Sequence, residues 1–202
     1  MTAVWLGTLA FLIAFAFDLA NMAGLMLLKR AIVVLSSILF LLALWQALSQ
    51  SPAFNVPGWV IATGALLTAL GLALSAYSLL IEIPVQSTYV APNASSQLVT
   101  TGTYALCRHP GVLWFGLFLL GLLITNRSLA LLIAALVWFG LDILYVWLQD
   151  RYFFPRQFPD YPAYRKQAPM LIPTRGSMRR CWHTLSWPRG RSPERGQTPP
   201  PC

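Results

Sequence analysis

Five apolar runs separated by short polar breaks fill the chain as far as residue 148. A membrane-spanning helix needs about 20 predominantly apolar residues. The first run covers residues 3–28 and is interrupted by Asp18 and Asn21; the second covers 31–48. The loop 49–56 carries turn-forming residues and no charge. The third run, 57–83, opens on a proline, where a missing N–H is harmless. A polar stretch rich in Ser, Thr, Asn and Gln occupies 84–108. The fourth run, 111–125, is short; Asn126, Arg127 and Ser128 then turn the chain into the fifth, 129–148. The pattern predicts an all-α, polytopic membrane helical bundle of about five transmembrane helices. The last two runs are expected to pair as a helical hairpin, capped on the cytoplasmic side.

Composition narrows the class. The 202 residues are 57% hydrophobic and 10% charged, against about 25% charged in a soluble domain. Such a chain excludes an ordinary soluble enzyme, and it is too apolar for a disordered one. The net charge is +8, from 14 basic and 6 acidic side chains. Residues 1–148 hold four of the basic groups and 149–202 hold ten. Basic loops stay on the inner side of a membrane. With the N-terminus outside, five spans put Lys29, Arg30, Arg108 and the whole tail in the cytoplasm, leaving only Arg127 outside. A multi-pass protein of a prokaryotic cell membrane is expected.

The tail divides in two. Residues 150–173 carry aromatics and alternating charge and are expected to form an ordered cap, closing a domain over 1–173. Residues 174–202 are rich in Arg, Pro, Gly and Ser and are expected to be disordered. Their charge suits anionic lipid. Nucleic acid is not expected, since no groove-reading motif accompanies the charge. Cys107, Cys181 and Cys202 lack metal-site spacing, and no metal is expected. No Lys or Arg precedes the first run, so no cleavable signal is read. The terminal Pro-Pro-Pro-Cys does not fit a prenylation signal.

Polar groups inside spans need an explanation. Trp138, Asp142, Tyr145 and Gln149 share one face of the fifth span, continuing to Tyr152. That face is either interhelical glue or the wall of a polar pocket. Gly64, Thr68, Gly71, Ser75, Ser78 and Glu82 share a face of the third span. Their small size predicts close helix packing, with Glu82 wetted at the cytoplasmic end. Asp18 and Asn21 are read as a buried polar contact. At Arg108-His109-Pro110, the proline can open the fourth helix, with His109 at its cap. Arg108 beside a helix N-terminus makes either an anion site or a positive-inside anchor.

Gly102-Thr-Tyr104-Ala-Leu-Cys-Arg108-His109-Pro110, followed by an apolar hairpin, resembles the isoprenylcysteine carboxyl methyltransferase and phospholipid methyltransferase superfamily. The family pattern runs from Gly-x-Tyr and Arg-His-Pro to an acidic pair after the last span. A Phe-Gly turn, two tyrosines three apart and a closing Ile-Pro complete it. Here Gln149-Asp150, Phe158-Pro159, Tyr161, Tyr164 and Ile172-Pro173 fill those places, so the resemblance covers residues 98–173. It departs where Gln149-Asp150 or, one residue later, Asp150-Arg151 replaces two glutamates, Val112 replaces a tyrosine and Pro159 replaces a glycine.

The resemblance implies a membrane methyltransferase using S-adenosylmethionine at the cytoplasmic face. Matching cofactor-binding positions are Gly102, Tyr104, Arg108, His109, Pro110, Gln149, Asp150, Tyr161 and Tyr164. Methyl transfer needs chiefly alignment; His109 and Asp150 are the candidate catalytic groups. Arg108 suits the cofactor's carboxylate and Asp150 its ammonium or ribose. Tyr104, Tyr145 or Tyr152 suits the sulfonium by cation–π attraction. The acceptor would be lipidic or amphipathic: an isoprenylcysteine carboxylate, a phospholipid amine, or a small hydrophobic thiol or amine. An inactive scaffold of the same fold, or a related membrane reductase or isomerase, is the alternative.

Overall fold

The computed structural model describes residues 1–83 and 98–185. Among these it is helical, without strands. The long helices are α1 (Thr2–Met22), α2 (Met26–Leu48), α3 (Gly58–Ala76), α5 (Pro110–Asn126) and α6 (Leu129–Leu148). Short helices α4 (Thr103–Leu106), α7 (Phe154–Gln157), α8 (Tyr161–Gln167) and α9 (Arg175–Leu185) gather at one end. α3 continues as a π-helical stretch, Tyr77–Glu82, and α6 as another, Gln149–Phe153.

Four segments are long and apolar enough to cross a membrane: Thr2–Met22, Met26–Leu48, Gly58–Glu82 and Leu129–Gln157. The shorter apolar α5 lies among them; its 17 residues reach about 25 Å. The distribution of side chains is that of a protein in lipid. Buried positions are small, such as Ala3, Ala10, Ala43, Ala47, Ala134 and Ala135, while Leu27, Leu41, Leu66 and Leu136 point outward. Water would not tolerate so large an apolar exterior; hydrocarbon does. The protein is a multi-pass helical membrane bundle.

Helix ends follow local chemistry. Gly24 takes φ +69°, and the Leu25 N–H bonds Ala20 O at 3.0 Å, a glycine-closed helix terminus. The first span therefore stops at Met22, not at residue 28, and α2 begins at Met26 rather than 31. Lys29 thus lies inside a helix, not in a loop. Pro110 is the first residue of α5 and His109 its cap, as the tripeptide predicts. Arg127 turns the chain at φ 58°, and the Ser128 side chain accepts from Leu131 N–H to start α6.

Packing rests on small residues. α3 lies along α5, which contacts α6 less extensively; of the long helices, α3 and not the expected hairpin partner α6 is thus the main neighbour of α5. A Cβ on Gly64 would stand 2.5 Å from the Thr125 hydroxyl, and one on Gly71 2.5 Å from Phe118 N. The stripe predicted to pack does so. Gly7 lets α1 close onto the buried Trp138 indole of α6. Phe40 joins Trp138 at 5.2 Å between ring centroids. Phe11 of α1 meets Phe40 of α2 and Phe115 of α5 near the middle.

The tail departs from expectation. Residues 175–185 form α9, held by Thr174 and Ser177, whose side chains exchange bonds with each other's backbone N–H. Within this helix Ser177 and Cys181 are buried, and Thr184 accepts from Gly102 N–H at 3.0 Å. The remainder of the tail, 186–202, lies outside the described residues, as does 84–97 of the polar stretch.

Candidate functional site

Asp150 organises the capped end. It is 4% exposed and sits in the π-helical stretch that follows α6. Arg108, delivered by the turn before α5, donates Nε–H to Asp150 Oδ1 at 2.8 Å and Nη2–H to Oδ2 at 3.1 Å. This is the planar, two-pronged pairing a guanidinium favours. Arg108 Nη1 donates to the carbonyls of Arg165 and Ala168 at 3.0 and 2.9 Å. Tyr161 donates its hydroxyl to Asp150 Oδ1 at 2.5 Å. Tyr164, one turn on, donates to the Tyr104 carbonyl at 2.7 Å. The paired tyrosines of α8 therefore fasten segment 104–108 to the end of α6. Burial pushes both phenols above their ordinary range, so they act as donors and not as bases.

His109 stacks on Phe154 at 5.7 Å. Its Nε2 stands 3.6 Å from Asp150 Oδ1 and has no hydrogen-bond partner among the described residues. Burial lowers its pKa, against the pull of Asp150; the imidazole is neutral near pH 7. Arg165 Nε lies 3.6 Å from Asp150 Oδ2.

Glu82 is not simply wetted. Its carboxylate accepts from Thr103 N–H at 2.8 Å and from the Thr103 hydroxyl, anchoring the start of α4 to the end of α3. Gly102 turns there at φ 63°, and any Cβ would collide with the Glu82 carboxylate. Its glycine requirement is thus accounted for by the fold.

A cavity lies between this cap and the ends of α1, α2 and α3. Tyr104, Arg108, Gln149, Tyr161 and Tyr164 line it, as do Phe154, Gln157 and Phe158. Five of the nine sequence-assigned binding positions therefore converge on one space. Gly102, His109, Pro110 and Asp150 do not line it; they stand behind the wall and shape it. Two assigned roles change. Four hydrogen bonds already use Arg108, out of the five N–H donors of a guanidinium. Asp150 in turn already accepts three hydrogen bonds, two from Arg108 and one from Tyr161. Neither is the open anchor for a charged ligand that the sequence suggested.

Other candidates separate as well. Tyr152 is 44% exposed and packs edge-on to Trp147, away from the cavity. Tyr145 stacks on Phe15. Of the polar face on α6, Trp138 is core and Gln149 reaches the cavity. Asp18 and Asn21 do not pair with each other as expected. Asp18 Oδ2 accepts from Gln149 Nε2 at 2.8 Å, and Asn21 Oδ1 accepts from Lys29 Nζ at 2.7 Å. Phe17, Asp18, Asn21 and Lys29 all line the cavity, and Phe17 and Lys29 had no place in the sequence-based site. The turn at Gly24 brings Lys29 back to Asn21, a fold no span-by-span reading could supply.

No family model matches the chain, and no solved structure matches it. Over 85 residues it is 29% identical to the nickel-cobalt-cadmium resistance protein NccN of Alcaligenes xylosoxydans xylosoxydans, across 42% of this chain and 40% of that protein. It is 32% identical over 85 residues to the cobalt-zinc-cadmium resistance protein CzcN of Cupriavidus metallidurans, across 42% of this chain and 39% of that protein. The chain thus spans about two fifths of the length of these curated relatives. Among the described residues no group of three or more His, Cys, Asp or Glu could hold a metal ion.

Proposed function

We propose that this protein is a membrane methyltransferase of the isoprenylcysteine carboxyl and phospholipid methyltransferase type, using S-adenosylmethionine. One observation carries the reading: Tyr104, Arg108, Gln149, Tyr161 and Tyr164, far apart in sequence, line a single cavity. The donor set fits the cofactor. Phe154, Phe158 and Leu98 offer apolar surface for a nucleoside base, and Gln149 an amide for hydroxyl groups. Tyr104 offers an aromatic ring for a sulfonium. The cofactor, when bound, supplies an activated methyl group. The protein's part is to hold donor and acceptor in line and exclude water. The Arg108–Asp150–Tyr161 network keeps the cap wall rigid, and Tyr164 fixes the segment that carries Tyr104.

The acceptor, in this reading, is lipidic or amphipathic and arrives from the bilayer at the level of the capped end. That end is the cytoplasmic one, since Lys29, Arg30, Arg108 and the basic residues of α8 and α9 lie there while Arg127 lies at the other. Ile172, Met178 and Trp182 are exposed beside Arg175 and Arg179, a pairing suited to an anionic leaflet. The test uses the purified chain in mild detergent with methyl-labelled S-adenosylmethionine and extracted bacterial membrane lipids. Label should pass into the organic phase. Absence of transfer, together with absence of S-adenosylhomocysteine binding, rejects the proposal.

A second reading rests on the two relatives, both named for metal resistance. A part for this chain in tolerance to cobalt and cadmium predicts slower growth of a deletion strain on those salts. Equal growth of the two strains rejects it.

A further inference from the structure

The residues of α9 fall into three sectors around the helix, at about 100° per residue. Ser177, Cys181 and Thr184 face the protein: the first two are buried, and Thr184 accepts from Gly102 N–H at 3.0 Å. Met178, Trp182 and Leu185 lie within about 60° of arc beside them and are 49%, 77% and 47% exposed. Arg175, Arg179 and His183 fill the third sector and are exposed. Arg180 is half-buried and donates to the Gln167 carbonyl at the end of α8.

The sector that faces the protein is a poor support. A serine, a cysteine and a threonine bury little apolar surface, and 11 residues are too few for a stable helix on their own. The larger apolar sector faces outward, extended by Ile172, 81% exposed just ahead of the helix. Charge decides what fits it. Residues 161–185 hold five basic side chains and no acidic one. A second copy of this chain, meeting the first through the same patch, would set like charge against like. An anionic leaflet answers both sectors at once. Acyl chains take Met178, Trp182 and Leu185, and lipid phosphates take Arg175 and Arg179. Trp182 is of the residue type that favours the headgroup level.

The support of α9 is also the support of a cavity wall. α4 packs against α9. Thr184 holds the Gly102 turn, and Glu82 accepts from Thr103 N–H. Tyr104 follows directly and lines the cavity.

We infer that α9 is an in-plane membrane helix that binds anionic phospholipid through Met178, Trp182, Leu185, Arg175 and Arg179, and that this contact steadies residues 102–106 and with them the Tyr104 wall of the cavity. The inference rests on the capped end lying at a membrane surface, and not on the methyl donor.

Amide hydrogen exchange of the full chain in lipid nanodiscs tests it, comparing phosphatidylcholine alone with discs that carry about a third phosphatidylglycerol. An arginine near an anionic surface contributes roughly fivefold in binding, so protection over 175–185 and 102–106 should rise by about twenty-fivefold in the anionic discs. Protection in the middle of α3 and α5 should not change. Arg175→Gln combined with Arg179→Gln should abolish the rise. A nitroxide on Met178→Cys, in a Cys202→Ser background, should collide with oxygen dissolved among the acyl chains and escape a water-soluble paramagnetic reagent; Leu185→Cys serves if that variant does not fold. Equal protection in the two kinds of disc overturns the inference, as does a rise that survives the double arginine change or one confined to 175–185. A nitroxide open to the water-soluble reagent, or shielded from both colliders as in a protein contact, also overturns it. All these outcomes leave the methyl-donor reading to the label-transfer assay above.

Discussion

Replacing Arg108 by methionine should release the cap from the bundle. The substitution deletes four hydrogen bonds, two to the Asp150 carboxylate at 2.8 and 3.1 Å and two to the Arg165 and Ala168 carbonyls at 3.0 and 2.9 Å. It strands a carboxylate that is 4% exposed, left with the Tyr161 hydroxyl and the more distant Arg165. Breaking a buried ion pair from one side costs about 3–5 kcal/mol. The effect should fall on the docking of α8, because the spans hold their own backbone bonds in lipid. Amide hydrogen exchange over residues 161–167 reads that opening directly. At about 1.4 kcal/mol per tenfold, protection there should fall by roughly two to three and a half orders of magnitude. Protection in the middle of α3 and α5 should hold. A double variant, Arg108→Met with Asp150→Asn, removes the stranded charge and should lose less than the sum of the two singles. A loss under about tenfold for Arg108→Met, or strict additivity, would refute the claim that this pair holds the cap.

Three further outcomes follow from named contacts. Gly71→Leu places a Cβ 2.5 Å from the Phe118 backbone nitrogen, which cannot step aside; overpacking should cost about 1–3 kcal/mol or more, read as earlier unfolding in a detergent titration. His109 is held below its ordinary pKa by burial, so the unfolded segment binds more protons than the folded one below about pH 6.5. Cap stability should fall on acidification through that window, and His109→Gln should flatten the profile measured by exchange at residues 161–167. Cys107 is fully buried and its thiol is pushed up to about 11; peptide mapping after maleimide treatment at pH 8 should find it unmodified in the folded protein and modified after denaturation.

The spans were legible because lipid imposes a simple rule on length and apolarity, and α6 was read to the residue. Local punctuation was legible too: Pro110 opening α5, the turn at Asn126, Arg127 and Ser128, and the small stripe on α3 that seats α5. The first turn was misplaced because apolar residues continue on both sides of Gly24, and only the glycine's left-handed backbone ends the helix. α9 was missed because its polar, arginine-rich sequence has little apolar surface, and Ser177, Cys181 and Thr184 gain their meaning from α4. At the site, five of the nine positions read from the resemblance line one cavity. The resemblance could not reveal that Arg108 is spent on Asp150, since residue types at a spacing do not show which donors are already used. Nor could it find the Asp18–Gln149 contact, which joins positions 131 residues apart.

On the proposed reading, the cavity between the ends of the first two spans, the segment around Tyr104 and the cap after α6 is the place of one methyl donor. Ultraviolet cross-linking of radiolabelled S-adenosylmethionine to the detergent-purified chain, followed by peptide mapping, tests it most directly. The account predicts label confined to peptides containing residues 17–29, 98–108 and 149–164, and displaced by excess unlabelled S-adenosylhomocysteine. Label on the opposite end of the bundle, around 49–56 or 126–128, or label that excess competitor does not displace, would contradict it.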